Sequence, residues 1–316
     1  MAASQRPASR FSVVVAFACV YLIWGSTYLT IRIAIETLPP LLMAGTRFLI
    51  AGAILYAVAR RPGTRRERLT WAQWRAAFIV GACLLLAGNG LVTWGEQYVA
   101  SGLVALIIAT VPLWMALFAP LFGGNRVGRV GMAGIVVGLV GVALLFRPGG
   151  VASAHWQMLV ILASPLLWAA GSLYARRAPT PASPVTAIGM ELLAGGLLLF
   201  LVGIATGELG AVHLGSVSMR SGIAFAYLVL IGALVGYSAY IWLLHHVSAS
   251  SASTYAYVNP LVAVILGAIV LSEPITVPTL IAGALIIVAV ATILASQPRR
   301  AVHIPEPIQV PTSEVA

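Results

Sequence analysis

The chain contains neither lysine nor aspartate, and it has little charge of any kind. Its 18 basic residues are all arginine, its 8 acidic residues are all glutamate, and charged residues make up 8% of its 316 residues, against 60% hydrophobic residues. A soluble domain of this length needs far more charge to cover its surface. The mean hydropathy of +1.00 instead indicates a membrane protein.

Sequence signatures of catalysis and of primary pumping are also missing. The chain has no G-x-S-x-G motif, no P-loop and no H-E-x-x-H motif, so a membrane enzyme or an ATP-driven pump is disfavoured. Cys19 and Cys83 fall inside apolar runs and are expected to be small buried residues without a disulfide. We predict no cofactor and no metal site.

Apolar runs of about 20 residues recur along the chain, and each is long enough to cross roughly 30 Å of hydrocarbon as a helix. We predict an all-α membrane protein with ten spans. They lie at about residues 12–34, 40–59, 76–98, 101–122, 130–146, 156–175, 184–205, 221–243, 251–271 and 278–295. Residues 1–11 are predicted to be a cytoplasmic tail, and the polar, proline-rich segment 296–316 a disordered cytoplasmic tail.

The arginines are distributed unevenly between the two sides of such a bundle. Fourteen of the 18 lie in the tails and alternate connections that would share one face, six of them in residues 60–75. Arginine is retained on the cytoplasmic side of membrane proteins, so both termini are predicted to be cytoplasmic. The net charge of +10 therefore reflects topology and does not indicate a nucleic-acid partner.

The chain also carries an internal repeat. A shift of 144 residues aligns residues 20–34 with 164–178 and brings Trp24 onto Trp168, and a shift of 148 brings Pro112 onto Pro260. The two copies span residues 12–146 and 156–295, each with five helices. Because five is an odd number, the copies would have opposite orientations, which is the inverted-repeat architecture of many secondary transporters.

Four segments resemble the drug/metabolite transporter superfamily, specifically its EamA-type permeases. They are IWGSTYLTIRIA (23–34), PPLLMAGTRFLIAGAIL (39–55), GNGLVTWGEQYVASGLVALIIATVPLW (88–114) and SASTYAYVNPLVAVILGAIVLSEPIT (251–276). The resemblance covers about residues 12–295 and is closest to a branch of bacterial inner-membrane exporters. It implies export of metabolites or drug-like compounds across the cytoplasmic membrane. Glu273 matches a family glutamate, which the first half replaces with GGNRVG (123–128).

Three ionisable residues within or near spans are candidate coupling groups, because each such residue costs free energy in the bilayer. The repeat alignment brings Arg47 onto Glu191, and the two would lie about 10 Å from opposite faces at 1.5 Å of rise per residue. They could form a pair that changes partners during transport or two separate structural anchors, and we favour the anchors. Glu96 suits a proton or cation site, or equally a glutamate at the water interface.

Candidate substrate-binding residues share helix faces at helical spacing. Polar and aromatic side chains around a central cavity would give an apolar wall with a few hydrogen-bonding points, although aromatic packing between helices is an equal alternative. The candidates are Trp24, Tyr28, Asn89, Thr93, Thr110, Trp168, Ser172, Tyr237, Tyr240, Tyr255 and Asn259. Pro112 and Pro260 are predicted to kink their helices and to shape this cavity.

The predicted function is secondary active transport by alternating access, with protons as the candidate coupling ion. The substrate is a small metabolite or drug-like compound such as an amino acid. Alternatives are an uptake permease or a passive facilitator or channel of the same fold, with a membrane enzyme the least favoured. The predicted partners are the substrate and the lipid bilayer. The chain is predicted to be a monomer or a homodimer. The glycines of residues 131–141 favour packing within one chain over a dimer contact.

Overall fold

The computed structural model describes residues 9–61, 67–124, 126–146, 155–247 and 254–296. These residues form a bundle of ten apolar helices. In chain order they are α1 (Arg10–Ala34), α2 (Pro40–Ala59), α3 (Trp71–Gly95), α4 (Ser101–Phe122), α5 (Arg129–Leu145), α6 (His155–Ala175), α7 (Pro184–Ala205), α8 (Met219–Tyr227, Leu228–Val235 and Gly236–His246), α9 (Tyr255–Leu271) and α10 (Val277–Ser296).

Each predicted span corresponds to one of these helices. Eight are long and apolar enough to cross a membrane, and the two shorter apolar helices are α5 and α9. Proline starts α2 and α7 at Pro40 and Pro184, where its missing N–H costs nothing. The predicted disordered tail lies outside the described residues, except for Ser296.

Two helices are interrupted at corresponding places in the two halves. π-Helical turns occupy Ala82–Asn89 in α3 and Leu228–Val235 in α8. Such turns are rare and often lie at functional sites. Helix α4 breaks at Thr110, just before Pro112, whereas α9 continues through Pro260 without a break.

Helices α2 and α7 cross in close contact and run antiparallel. A Cβ atom on Gly45 would lie 2.7 Å from the backbone nitrogen of Phe200, and a Cβ on Gly189 would lie 3.0 Å from that of Tyr56. The repeat shift of 144 residues turns Gly45 into Gly189 and Tyr56 into Phe200. The repeat therefore relates these two contacts to each other. Helix backbones can approach this closely only where a side chain is absent.

Helices α5 and α10 form a second antiparallel pair through the glycines of α5. A Cβ on Gly134 would lie 3.1 Å from Ile293, and one on Gly141 would lie 2.9 Å from Ile286 and 3.0 Å from the carbonyl oxygen of Ala282. The glycine face of α5 therefore packs against α10 of the same chain, which is the alternative favoured from the sequence.

We call the end of the bundle at which α1 begins the N-terminal face and the other end the opposite face. At the opposite face α2 and α4 begin without a side-chain cap of their own. Glu208, from the α7–α8 connection, accepts hydrogen bonds from the backbone N–H groups of Leu41 and Leu42 (3.1 and 2.9 Å). Glu273, from the α9–α10 turn, accepts one from Ser101 (2.8 Å). Carboxylates are favourable at helix N-termini, so the second half caps two helices of the first.

Candidate functional site

Four predicted aromatic residues from α1, α8 and α9 form one cluster. The ring centroid of Trp24 lies 5.5 Å from that of Tyr237, 5.1 Å from Tyr240 and 5.0 Å from Tyr255. Gly236 lets the indole lie against α8, because a Cβ there would collide with it. We call Trp24, Tyr237, Tyr240 and Tyr255 the aromatic cluster. Its edge-on and tilted rings are the favourable arrangement for aromatic pairs.

The equivalent tryptophan of the second half has a different environment. Trp168 lies against Gly88 of α3, where an added Cβ would be 2.6 Å from the indole, and the hydroxyl of Ser164 donates to the carbonyl of Gly88 at 2.8 Å. The shift of 148 residues places Asn89 where the aromatic cluster has Tyr237. Ser172 lies one turn beyond Trp168 and is half-buried. The two halves thus share a tryptophan–glycine contact but differ in chemistry.

A polar stripe follows α3 on the first half. Nη2 of Arg47 donates to Oδ1 of Asn89 at 3.3 Å, and Thr93 and Glu96 continue the same helix face at full burial. We call Arg47, Asn89, Thr93 and Glu96 the polar stripe. Asn89, at the start of this stripe, is half-buried.

Several atoms of the polar stripe have no hydrogen-bond partner within the described residues. They are Nε of Arg47, Oγ1 of Thr93 and both carboxylate oxygens of Glu96. Leaving a buried polar group unsatisfied costs about 1–3 kcal/mol, and native structures rarely retain such groups without a reason. The polar stripe is therefore the strongest candidate for a site that binds a proton, water or a polar ligand.

The surroundings of Glu96 contain both signs of charge. Arg32, Arg47 and Glu273 act on it electrostatically, and its own charge acts on the hydroxyl of Tyr28. Tyr28 follows Trp24 by one turn of α1, so α1 connects the aromatic cluster with the polar stripe.

Two other predicted binding residues already have partners in the protein. The hydroxyl of Thr110 donates to the carbonyl of Ile107 at 2.6 Å and accepts from the indole of Trp114 at 3.1 Å. The amide of Asn259, in its better orientation, donates to two backbone carbonyls of α1 and α9 at 3.3 Å each. In this conformation the hydroxyl of Thr110 is bonded within α4, and the amide of Asn259 links α9 to α1.

Arg47 and Glu191 are not joined by an ion pair in the described part of the chain. Both act electrostatically on the hydroxyl of Tyr237. Glu191 lines a narrow cleft between α3, α7 and the α6–α7 turn, which we call the Glu191 cleft. Because the guanidinium of Arg47 is bonded to Asn89, its position agrees with a structural anchor better than with a partner of Glu191.

Sequence reasoning missed a carboxylate bridge at the N-terminal face. Oε2 of Glu67 accepts a hydrogen bond from the backbone N–H of Ala182 at 2.8 Å, and Oε1 accepts one from Nε2 of Gln73 at 2.9 Å. These donors, the backbone N–H first, hold the pKa of the Glu67 carboxyl below its ordinary value. The T-x-x-Q pattern of Thr70 to Gln73, a capping box at the start of α3, could have indicated where Gln73 points.

Comparisons with known proteins agree on one family. A model described as the EamA-like transporter family matches the chain twice, over residues 11–147 and 155–295. The chain is 40% identical over 254 residues to the "Uncharacterized inner membrane transporter YedA" of Escherichia coli (strain K12), a match that covers 80% of each protein. It is 28% identical over 287 residues to the "Uncharacterized transporter YvbV" of Bacillus subtilis (strain 168), covering 90% of this chain and 91% of that protein.

The fold is shared with solved protein structures. One of them superposes with a TM-score of 0.59 at 22% sequence identity, over 90% of this chain and 96% of that one.

Proposed function

The chain belongs to the EamA-like transporter family and is a membrane transporter, and on this premise we propose that it is a secondary active carrier that works by alternating access. Its proposed cargo is a small metabolite or drug-like compound, such as an amino acid, exported across the bacterial cytoplasmic membrane. The observation that carries the mechanism is the reciprocal contact of α2 with α7.

Two halves of opposite orientation would account for the reciprocal contact of α2 with α7, and this contact supports the proposal. The pairs Gly45–Phe200 and Tyr56–Gly189 are exchanged by the repeat shift, as expected of equivalent helices related by a two-fold axis. The family model also matches each half separately. In carriers of this type, one half rocks against the other around a site near the midplane.

The proposed substrate site lies between the aromatic cluster and the polar stripe. Aromatic walls with a few polar groups are typical of small-molecule sites, and the rings attract cationic groups through their π faces. Tyr28, between the two, supplies a hydroxyl. Trp168 and Ser172 are proposed to line the same path from the other half.

Glu96 is the proposed proton-coupling group. Its two carboxylate oxygens are fully buried without a hydrogen-bond partner in the described residues, so a bound proton or a cationic ligand would supply the missing interaction. Arg47 and Glu191 are proposed as further coupling residues that respond to the same movement.

The proposed orientation has both termini in the cytoplasm. It is supported by the excess of arginine on the N-terminal face. An inner-membrane location is supported by the name of the Escherichia coli relative.

Transport by inside-out proteoliposomes tests the proposal. We would measure uptake of a panel of labelled amino acids and organic cations, with and without a pH gradient, for wild type, Glu96→Gln and the exposed neighbour control Gln97→Ala. The expected result is saturable uptake stimulated by the gradient, with the stimulation lost in Glu96→Gln and kept in Gln97→Ala. Linear, non-saturating flux would indicate a channel, and uptake only in the reverse vesicle orientation would indicate a permease.

A further inference from the structure

The Glu191 cleft opens between the first turns of α3 and the α6–α7 turn. Its polar side chains are Gln73, Thr180 and Glu191, and the rest of its lining is alanine, valine, proline and methionine. Gln73 and Thr180 lie near the helix ends of the N-terminal face, while Glu191 is two turns into α7. The cleft thus leads from that face toward the half-buried carboxyl of Glu191.

We define the Glu67 bridge as the contacts of Glu67 with Gln73, which lines the cleft, and with Ala182, which directly follows the lining residue Pro181. We call this end of the cleft its mouth. The two hydrogen bonds of the Glu67 bridge are 2.9 and 2.8 Å long, and Nε2 of Gln73 also donates to the carbonyl of Thr180 at 3.3 Å. Glu67 and Gln73 belong to the first half of the chain, and Thr180 and Ala182 belong to the second. Opening the mouth therefore requires the halves to separate at this face.

The remaining groups around Glu191 do not compensate its charge. Tyr237, on α8, feels the charge of Glu191, whereas the guanidinium of Arg47, on α2, is bonded to Asn89. The cleft residues of α3 and of the α6–α7 turn include no charged side chain. An unpaired charge in an apolar lining costs free energy, so this carboxyl needs either a proton or a cation.

We propose that Glu191 is a proton-binding carboxyl reached from the N-terminal face through the Glu191 cleft, and that the Glu67 bridge is the gate of this route. A proton enters when the two halves part at the mouth and is held when the bridge closes. The role of this proton in driving transport rests on the proposed function, whereas the route and its gate do not.

The chain contains a matched control for the gate. Glu208 has the reciprocal position, because it follows α7 and bonds to the start of α2 at the opposite face, while Glu67 follows α2 and bonds just before the start of α7. Both carboxylates join the two halves through backbone N–H groups. Of these two carboxylates, only Glu67 bonds to a residue that lines the cleft. The effect of opening the gate can therefore be separated from a general loosening of the bundle.

Labelling with dicyclohexylcarbodiimide, which reacts with protonated carboxyls in apolar surroundings, tests the proposal without a substrate. The full-length protein in proteoliposomes is treated over a range of pH, digested, and analysed by mass spectrometry for the label on Glu191 and on Glu96. We expect Glu191 to be labelled faster as the pH falls. We expect Glu67→Gln to accelerate this labelling several-fold, and Gln73→Ala to do the same, whereas Glu208→Gln leaves it within about twofold of wild type.

Three results would overturn the proposal. The first is no pH-dependent label on Glu191, and the second is an equal acceleration by Glu67→Gln and Glu208→Gln. The third is a parallel acceleration at Glu96, which would show a general loosening of the bundle. If the labelling follows expectation but no probe is transported with a pH gradient, the proposed function fails while the proton site stands. If transport is driven by the gradient but Glu191 is never labelled, the proton site fails while the proposed function stands.

Discussion

Replacing Gly45 with alanine would place a methyl group directly against the backbone of α7. The added Cβ would lie 2.7 Å from the nitrogen of Phe200, 2.9 Å from its Cα and 3.0 Å from the carbonyl oxygen of Gly196. All three are backbone atoms, so no side chain can rotate away to make room. The helices themselves must move apart or rotate.

The size of the effect follows from these distances. Ordinary contact begins near 3.4 Å, so the shortest distance must grow by about 0.7 Å. A gap of about 0.5–1 Å already forfeits a quarter to a half of the dispersion attraction along the crossing, and overpacking typically costs about 1–3 kcal/mol. Alanine returns up to about 1 kcal/mol through its better helix propensity. We expect a net loss of roughly 1–2 kcal/mol.

A graded series provides the assay. Equilibrium unfolding in mixed micelles of mild detergent and dodecyl sulfate, followed by tryptophan fluorescence, would give the free energy of unfolding for each variant. Gly189→Ala, with its shortest distance at 3.0 Å, should lose less than Gly45→Ala. Gly222→Ala is the control, because it lies in α8 with no atom within 4 Å of the added Cβ, and it should be neutral or slightly stabilising.

The order of the three variants decides the outcome. Equal stabilities for Gly45→Ala and Gly222→Ala would refute the close crossing of α2 and α7. A larger loss for Gly189→Ala than for Gly45→Ala would contradict the distance argument even if the crossing were real.

Three further predictions concern single polar contacts. Glu208→Gln should weaken the cap on α2 and cost about 0.5–2 kcal/mol, seen as faster hydrogen exchange in the first turn of α2, and unchanged exchange there would contradict it. Because the folded-state pKa of Glu67 is lowered, its stabilising contribution should be present above its unfolded pKa of about 4.3 and lost as the pH falls through the folded value. The difference in thermal unfolding between wild type and Glu67→Gln should therefore be constant from neutral pH to about 4.3 and shrink below it. Asn89→Ala should leave the buried guanidinium of Arg47 without its acceptor and cost about 1.5–3 kcal/mol, whereas Asn89→Asp should retain most of the stability, and equal losses in the two variants would argue against this bond.

Helix positions could be predicted because they depend on local sequence. A run of apolar residues long enough to cross hydrocarbon specifies a helix wherever it lies in the chain, and Pro40 and Pro184 mark helix starts by their own geometry. The π-helical turns in α3 and α8 could not be predicted, because their residues, ACLLLAGN and LVLIGALV, have the same composition as the rest of an apolar span.

The candidate site could be predicted only in part. Helical spacing predicts one shared face for Asn89, Thr93 and Glu96, and the structure buries Thr93 and Glu96 fully and Asn89 partly. Spacing within one helix says nothing about which face of another helix it meets, so the contact of Arg47 with Asn89 could not be read from the sequence. The bonds of Thr110 are of another kind, because both partners lie within four residues on its own helix, and such back-bonding of a helical threonine is a local pattern.

The sequence by itself determined the ten apolar helices, the two related halves and the scarcity of intramembrane charge, because each is a property of residue order alone. Only the tertiary structure decided that Trp24 meets tyrosines from α8 and α9, that Glu96 has no partner within the described residues, and that Glu67 bonds to a backbone 115 residues away. The physical reason is that burial and hydrogen bonding depend on how helices rotate and cross. Those choices are settled by packing between segments that are distant in the chain.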